Sequence, residues 1–563
     1  MNYDLILEEL GEFGAWQIGI ALLLWLPASL DGVQILMASM TGVTPNRFRC
    51  KVSDHCVDDG QSFPENNSNF YPSIENDEFD YCKYYAPATN VDGTCNFDDT
   101  DKSIAYACNS TDDFVYDSFE MDNSFITDFN IVCDRKIFEP AVNSFFMIGL
   151  MAGSFGFGVL SDKFGRRHML LVAILCCAGG SLAGAFMPEY YSYVFFRMIA
   201  GAGAEGCFLI PFTLSMEIVG IKEKVSFLPW VSYSTLLANF ISIPLAVGES
   251  VISALGYAIK DWRTLQWVSS LVCLACAAIW FFIPESPRWL ISTGKLDTAR
   301  SVVEKASKRN KVVVSKYLLS AGNPEPEAQL QDGNVQADQP AKEDGQYSLS
   351  DLFHPSVRFI SLTMFVCWPV ITLLYYGISL SVDKINLTED VFLSYILVSL
   401  IEIPSYVFLV LTMDIIGRKP LFVFSMLIPG ATCLIAAFID EGLLFTVLVL
   451  IGKFCASAAF NITYMYTAEL FPTNIRNSAV GICSTMARFG GISAPWIAVY
   501  LPSQGSLPGW VAYTVFGGSA VIGGLLALFL PDTIGFPLPD TFEDLEEIKK
   551  KSKPMWKLNR ATK

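Results

Sequence analysis

Histidine, net positive charge and nucleotide-binding motifs are scarce or absent in this sequence. The 563 residues include three widely separated histidines, His55, His168 and His354, which does not suit a zinc centre. No G-x-x-x-x-G-K-[ST] sequence occurs, so an ATP-driven machine is not expected. Lys and Arg number 38 against 56 Asp and Glu, a net charge of −18, and no basic face suits nucleic acid. We therefore expect no catalytic centre, no metal, no organic cofactor and no nucleic-acid partner. Any transport would run on gradients, with Na+ or H+ as candidate coupling ions.

Charged residues of either sign are also few. They make up 17% of the chain, against 52% hydrophobic and 13% aromatic residues, and the mean hydropathy is +0.40. This composition is typical of a protein that crosses a lipid bilayer many times. Residues 1–14 contain no Lys or Arg, whereas a secretory signal begins with basic residues. We instead predict a cytoplasmic amphipathic helix within residues 1–15 that lies against the membrane face.

Twelve apolar runs are each long enough to cross the roughly 30 Å hydrocarbon core of a bilayer. They predict an all-α membrane protein with twelve transmembrane helices in two six-helix halves. A cytoplasmic loop, residues 284–356, joins the halves, and its stretch 321–346 has the composition of a disordered linker. The first run is 16–40, and helices 2–6 (within 141–283) are 141–161, 168–187, 193–219, 227–247 and 265–283. Helices 7–12 (within 357–530) are 358–380, 391–413, 420–439, 443–466, 479–501 and 511–530.

One charged hairpin occurs twice, after the second run and after the eighth. The first copy reads G-V-L-S-D-K-F-G-R-R at residues 158–167, and the second reads D-I-I-G-R-K at residues 414–419. Two copies at corresponding places indicate an internal repeat. Basic residues in these turns and in the tail, residues 531–563, predict that the hairpins and both termini are cytoplasmic.

The segment between the first two runs, residues 41–140, is polar and acidic. It has 20 acidic and seven basic residues, a net charge of −13, and six of the 15 cysteines. Clustered cysteines beside N-x-[ST] sequences predict an extracellular, disulfide-bonded and glycosylated domain; a disordered acidic loop is the alternative. Six cysteines allow 15 pairings, and the sequence does not choose among them. The cysteines are Cys50, Cys56, Cys82, Cys95, Cys108 and Cys133, and the glycosylation candidates on this side are Asn66, Asn109 and Asn386.

Charges inside apolar runs are costly unless they face water or a partner, so they mark candidate substrate contacts. Aromatic residues of the seventh run can attract an organic ammonium group by cation–π contact. The alternatives are internal salt bridges for the charges and ordinary packing for the aromatic rings. The candidate substrate-binding residues are Asp31, Glu205, Trp368, Tyr375, Tyr376, Glu402, Lys453 and Arg488.

A second set of charges surrounds the hairpins. Glu217 and Glu469 end the fourth and tenth runs, at corresponding places in the two halves. We expect Glu217 to bond Arg166 or Arg167, and Glu469 to bond Arg418. Such ion pairs would favour an outward-open state and break as the halves rock inward; a purely structural role is the alternative. The full predicted gating set is Asp162, Arg166, Arg167, Glu217, Asp414, Arg418, Glu469 and Arg476.

The pattern G-x-L-x-D-x-x-G-R-R at residues 158–167 resembles the signature loop of the major facilitator transporters. Over nearly its whole length the chain resembles their organic-ion branch, which handles organic cations, organic anions and carnitine. The resemblance implies alternating access, with helices 1, 4, 7 and 10 around a central cavity. Asp31, Glu205 and Lys453 would then face the substrate. The matching stretches are Y-D at 3–4, G-x-F-G-x-x-Q at 11–17, P-E-S-P-R-W-L at 284–290, Y-T-A-E-L-F-P-T at 466–473 and L-F-L-P-D-T at 528–533.

Two details of the resemblance bear on the substrate. The sequences G-K-F at 452–454 and S-T-M-A-R at 484–488 are most similar to carnitine and organic-anion members, and Arg488 stands where cation-selective members have an acid. Asp31 stands where carnitine-type members have an asparagine, which argues against their sodium coupling and for a stronger cationic end on the substrate. The resemblance implies a monomeric plasma-membrane uniporter or symporter for a small organic cation or zwitterion, such as carnitine, a betaine, carcinine or β-alanine. An organic-anion exchanger and a non-transporting sensor are the alternatives.

Overall fold

The structure is a computed structural model of the chain. The predicted linker, the three predicted glycosylation sites and residues 553–563 lie outside its described part. The described residues are 3–11, 14–45, 47–52, 56, 63–64, 70–72, 80–90, 92, 94–108, 114–117, 121–218, 224–225, 228–314, 349–382, 390–439, 442–501, 510–534, 536, 539 and 541–552.

The described residues form a helical bundle made of two halves. A short 3-10 helix, Cys133–Ile137, leads into α4, and another, Ala277–Phe281, follows α9. The helices of the N-terminal half are α1 (Tyr3–Leu10), α2 (Ala15–Thr41), α3 (Phe125–Asp128), α4 (Phe138–Phe164), α5 (Arg166–Ala185), α6 (Tyr190–Ile218), α7 (Tyr233–Phe240), α8 (Ile243–Ala258), α9 (Trp262–Cys276), α10 (Pro287–Ser292) and α11 (Leu296–Asn310).

The C-terminal half begins after a 3-10 helix, Leu349–Phe353, and contains a π-helical turn, Trp496–Tyr500. Its helices are α12 (Arg358–Leu380), α13 (Val391–Leu400), α14 (Glu402–Ile416), α15 (Arg418–Ala436), α16 (Leu443–Leu470), α17 (Thr473–Pro495), α18 (Trp510–Ala527) and α19 (Phe542–Lys551).

Ten helical segments of the described chain are long and apolar enough to cross a membrane. They correspond to ten of the twelve predicted runs. The two others differ from the prediction. The fifth run begins with a strand, β6 (Leu228–Ser232), which pairs with β5 (Lys224–Val225), and continues through α7 into the shorter apolar helix α8. The eleventh run is α17, which begins at Thr473 and is not among the ten.

Prolines explain where two spans are interrupted. A proline lacks the amide proton and its ring clashes with the carbonyl four residues earlier. Pro244 is four residues after Phe240, where α7 ends, and Pro404 is four residues after Leu400, where α13 ends. The fifth run was therefore wrongly predicted as one continuous helix over 227–247, and α8 continues to Ala258. The second break makes Glu402 the first residue of α14.

Glycines let helices of the same half approach closely beside the buried charges. A Cβ added at Gly32 of α2 would lie 2.1 Å from the carbonyl oxygen of Leu245, and one at Gly248 of α8 would lie 2.0 Å from that of Ser29. In the other half, a Cβ at Gly490 of α17 would lie 2.0 Å from the carbonyl oxygen of Pro369. Only residues without a side chain permit these contacts. Asp31, Glu249 and Arg488 lie next to or near these glycines in the sequence, and the close crossings hold all three deep inside the bundle.

Helix α1 packs on protein rather than on a membrane face. Its apolar residues Tyr3, Ile6, Leu7 and Leu10 are all buried, and they belong to a hydrophobic cluster that also includes residues of α10 and α11. Asn310, at the end of α11, accepts a hydrogen bond from the Trp16 amide at 2.8 Å and donates to the Leu10 carbonyl at 3.2 Å. The apolar side of α1 therefore packs on other helices of the protein and not, as predicted, on the membrane face.

The segment between α2 and α4 contains two small antiparallel sheets. Strand β1 (Phe48–Cys50) pairs with β4 (Phe114–Tyr116), and β2 (Lys83–Thr89) pairs with β3 (Cys95–Ala107). A small aromatic core includes Phe70, Tyr71 and Phe97. Burial raises the pKa of the Tyr71 hydroxyl. The six cysteines form the pairs Cys50–Cys108, Cys56–Cys95 and Cys82–Cys133.

Candidate substrate cavity

Six buried charges of the two halves meet in two clusters, and each cluster contains two acids and one base. The first consists of Asp31 on α2, Glu205 on α6 and Arg488 on α17. The second consists of Glu249 on α8, Glu402 on α14 and Lys453 on α16. All six side chains are buried, with residue exposures of 0–5%. Each cluster includes residues from both halves, so both lie where the halves would have to move relative to one another.

In the first cluster, Arg488 and Glu205 form a direct ion pair. The Arg488 Nη2 atom lies 2.6 Å from the Glu205 Oε2 atom. Asp31 interacts electrostatically with both. Within the described part of the chain, Asp31 Oδ1 and Arg488 Nε are buried without a hydrogen-bond partner. The cluster therefore contains one carboxylate more than its base can balance, together with one free acceptor and one free donor.

In the second cluster, Lys453 is held on three sides. Its Nζ atom lies 2.5 Å from Glu402 Oε1 and 2.6 Å from the Ser379 hydroxyl, to which it donates. It also lies 3.7 Å from the centre of the Tyr375 ring. The Tyr406 hydroxyl donates to Glu402 Oε2 at 2.7 Å. Lys453 and Glu402 therefore balance each other's charge.

Aromatic rings connect the surroundings of the two clusters. Tyr375 stacks on Phe460 with centroids 5.1 Å apart and contacts Tyr376 at 5.2 Å. Phe460 contacts Tyr464 at 5.9 Å, and Tyr464 contacts Trp368 at 4.6 Å. These five residues, from α12 and α16, are called the aromatic wall below. Their ring faces offer cation–π contacts to an organic ammonium group.

All eight predicted substrate residues are buried, but they do not share one site. Asp31, Glu205 and Arg488 lie in the first cluster, and Tyr376 is in electrostatic reach of all three. Glu402, Lys453 and Tyr375 lie in the second cluster. Trp368 lies at the far end of the aromatic wall, where its Nε1 donates to the Thr467 hydroxyl at 3.0 Å.

Glu249, Phe460 and Tyr464 are among the residues of this region that the sequence did not predict. Glu249 lies outside the predicted fifth run, which ends at Val247, although apolar residues continue to Ala258. Phe460 and Tyr464 lie seven and eleven residues after Lys453 on the same helix. That spacing places them on the face of Lys453 and could have identified them.

The two hairpins carry matching ion-pair clusters at one end of the bundle, called the hairpin end. Arg166 lies 2.8 Å from both Asp162 and Glu217, so Arg166 is the partner of Glu217. In the other half, Arg418 lies 2.8 Å from Asp414 and 3.0 Å from Glu469. Each pair joins residues of one half, and the pairs therefore tie helices together within a half.

The remaining predicted gating residues bond mainly to the backbone. Arg167 Nε donates to the Trp280 carbonyl at 3.0 Å, and its amide donates to the Glu285 carboxylate. Arg476 donates to the carbonyls of Phe471 and Pro539 at 3.3 Å. After α18, burial raises the pKa of the Asp532 carboxyl, while backbone hydrogen bonds and nearby Lys419 act in the opposite direction.

Contacts between the halves occur at both ends of the bundle. At the hairpin end, Asn461 donates to the Asn239 side-chain oxygen at 3.0 Å, and Thr235 donates to Asp414 at 3.4 Å. At the opposite end, the Trp496 indole donates to the Ser144 hydroxyl at 2.8 Å. Polar contacts therefore join the halves in two places, between α7 and helices α14 and α16, and between α4 and the π-helical turn.

Two repeated helical halves that meet around buried charges form the architecture of a secondary transporter. The model of the sugar (and other) transporter family matches residues 112–545. The chain therefore belongs to this family, within the major facilitator superfamily, and is a membrane transporter rather than an enzyme.

Relatives are similar to the chain over almost all of its length. The organic cation transporter protein of Drosophila melanogaster is 32% identical over 98% of this chain and 96% of that protein. Human organic cation/carnitine transporter 2 is 30% identical over 97% of this chain and 94% of that protein. The Escherichia coli xylose transporter XylE, in a partially occluded inward-open conformation, has a TM-score of 0.58 at 16% identity, covering 93% of this chain and all of that one. This last likeness shows the fold.

Proposed function

We propose that the protein is a plasma-membrane secondary transporter of small organic cations or zwitterions that works by alternating access. The names of the fly and human relatives support an organic cation or carnitine-like substrate. Carnitine, betaines, carcinine and β-alanine are the candidate substrates. In the family of membrane transporters to which the chain belongs, such a substrate would bind between the halves.

The observation that carries this proposal is the excess of negative charge in the first cluster. Asp31 and Glu205 give two negative charges against the single positive charge of Arg488, all nearly inaccessible to water. A buried excess charge is strongly unfavourable, and a cationic ligand beside Asp31 would remove it. The free Arg488 Nε–H can meanwhile donate to a carboxylate or another acceptor on the same ligand. Tyr376 and Tyr464 supply aromatic faces nearby.

The same charges argue against the organic-anion exchanger. An organic anion brings no cationic group for Asp31, and both bases already balance an acid, Arg488 with Glu205 and Lys453 with Glu402. An added anion would leave the first cluster with two uncompensated negative charges. The non-transporting sensor is opposed by the matching hairpin clusters in both halves, which a mere binding protein would not need.

The proposed topology places the hairpin end and both termini in the cytoplasm. The helix pair α7/α8 would complete the fifth span and α17 the eleventh, for twelve in all. The segment between α2 and α4 would then be an extracellular domain with three disulfides, glycosylated at Asn66, Asn109 and Asn386. A monomer embedded in the bilayer is sufficient for this arrangement, because both clusters lie within one chain.

The function is tested by uptake into cells that express the full chain. Labelled carnitine, carcinine, tetraethylammonium and para-aminohippurate span zwitterions, a simple cation and an anion. We expect uptake of at least one cation or zwitterion above that of control cells, and none of para-aminohippurate. Uptake of para-aminohippurate alone would favour the exchanger, and uptake of none despite surface expression would favour the sensor.

The hairpin ion pairs are proposed to bias the conformational equilibrium rather than to contact substrate. Arg166→Ala or Arg418→Ala should leave surface expression largely intact but slow transport, with little change in the substrate concentration for half-maximal uptake. Lys163→Ala is a matched control, because Lys163 lies in the same hairpin and is exposed. Normal maximal rates in both arginine variants would mean that the clusters only shape the loops.

A further inference from the structure

Glu249 joins the N-terminal half to the ion pair of the C-terminal half. It lies on α8 and is 2% exposed. The Tyr375 hydroxyl donates to its Oε1 atom at 3.3 Å, and the ring of the same tyrosine covers the Lys453 ammonium. Tyr375 therefore bridges Glu249 to the Lys453–Glu402 pair across the interface between the halves.

The charges of this second cluster do not balance if all three groups are ionised. The charge of Glu402 is balanced by the Lys453 ammonium, and its Oε2 atom accepts a hydrogen bond from the Tyr406 hydroxyl. Among the described residues, the Tyr375 hydroxyl donates to Glu249 and the Ser399 hydroxyl lies close to it; both groups are neutral. An ionised carboxylate without a base is very costly in such surroundings, whereas a neutral carboxyl group needs only hydrogen bonds.

The other helices around Glu249 bring no further base among the described residues. Helix α2 meets α8 through Gly32 and Ser29, and its acid, Asp31, interacts with Glu205 and Arg488 instead. The groups that face Glu249 from the C-terminal half are Tyr375 on α12, Ser399 on α13, Glu402 and Tyr406 on α14, and Lys453 on α16. The missing positive charge must come from outside this set.

A proton fits this position better than a metal ion does. A hard metal cation needs about six oxygen ligands, but an ammonium group and the face of an aromatic ring fill the space beside Glu249. A proton needs one carboxylate oxygen and no further room.

We propose that Glu249 is the proton-binding residue that couples transport to a proton gradient, so that one proton moves with each cationic substrate. This inference rests on the proposed function. In the closed, loaded carrier the substrate neutralises the first cluster and the proton neutralises the second. When α8 separates from α13 and α14, water reaches Glu249. The O–H bond then breaks, the electron pair stays on the carboxylate and the proton passes to water.

The test uses the purified full chain in liposomes that contain a pH-sensitive dye, with the membrane potential held at zero by potassium and valinomycin. Tetraethylammonium is the substrate. Exchange of labelled for unlabelled substrate at equal pH measures transport, and acidification of the interior on adding substrate measures proton entry. We expect the wild type to show both. Glu249→Gln should still exchange substrate, because exchange needs no proton release, but should lose the acidification.

Glu189→Gln is the matched control, because Glu189 is an exposed acid outside both clusters; it should keep exchange and acidification. Wild-type exchange without acidification, outward proton movement, or acidification that persists in Glu249→Gln would each overturn the inference. If Glu249→Gln does not fold, wild-type exchange without acidification still overturns the inference. Absence of exchange for tetraethylammonium, carnitine and carcinine alike would instead contradict the proposed function, so the two failures are distinguishable.

Discussion

Replacing Asp31 with Asn is expected to weaken the apparent affinity for every substrate with a cationic end by about ten- to a hundredfold. The variant keeps the size of the side chain and removes its charge. A hydrogen bond to a charged group contributes about 1.5–3 kcal/mol, which converts to that loss of affinity. Asp122→Asn, an exposed acid in the segment between α2 and α4, is the control and should have no effect. The measurement is concentration-dependent uptake, corrected for the amount of protein at the surface.

Arg488→Lys completes this test, because it separates two roles of the arginine: it balances the charge of Glu205, and its Nε–H can donate to an acceptor on the substrate. Lysine retains a positive charge for Glu205 but has no counterpart of the free Nε–H. We therefore expect uptake of tetraethylammonium to be nearly preserved and uptake of carnitine to fall. Arg488→Ala would be a poorer choice, since it leaves Asp31 and Glu205 buried without a base. Equal loss of both substrates in Arg488→Lys, with normal surface expression, would show that Arg488 is structural and would contradict the zwitterion proposal.

The second large effect is expected at Lys453, and it is a loss of stability. Lys453→Met leaves Glu402 and Glu249 together in a site that water does not reach. Removing one partner of a buried ion pair typically costs about 3–5 kcal/mol. We expect the yield of folded, monodisperse protein in detergent to fall steeply, together with its melting temperature.

Variants of Glu402 distinguish this charge argument from a simple packing defect. Glu402→Gln leaves one acid, Glu249, for the one base, Lys453, so it should be much milder than Lys453→Met. The double variant Glu402→Gln, Lys453→Met should recover part of the lost stability, since only one acid then remains. If Glu402→Gln proved more damaging than Lys453→Met, or if the double variant lost the sum of both effects, the charge balance would not be what holds this cluster together.

Most membrane-spanning helices could be predicted from the sequence, because a span requires only a continuous run of about twenty apolar residues. The seventh run was placed at residues 358–380, and α12 spans the same residues. The fifth run was misplaced because Pro244 divides it and a glutamate lies in its second half. A charged residue normally signals the end of a span, and only the side-chain contact of Glu249 with Tyr375, beside the Lys453–Glu402 pair, shows why Glu249 lies inside one.

The partners of the buried charges could not be predicted, because they depend on how the halves pack. Glu205 and Arg488 are 283 residues apart, and nothing local indicates that one would neutralise the other. The sequence identified both as candidates but treated them as separate contacts for a substrate. Sequence spacing did suggest the hairpin partners, since Glu217 and Glu469 occupy corresponding places in a repeat. The choice of Arg166 over Arg167 as the partner of Glu217 needed the structure.

The two hairpin clusters also constrain how the length of this chain can drift in evolution. Arg166 and Glu217 are 51 residues apart, and Arg418 and Glu469 are also 51 residues apart. One residue inserted within a helix of either stretch would rotate the following side chains by about 100° and carry the acid away from its arginine. These stretches should therefore keep their length among related proteins. The described residues of the segments after α2 and after α11 include no such repeated pair, and differences in length should accumulate there.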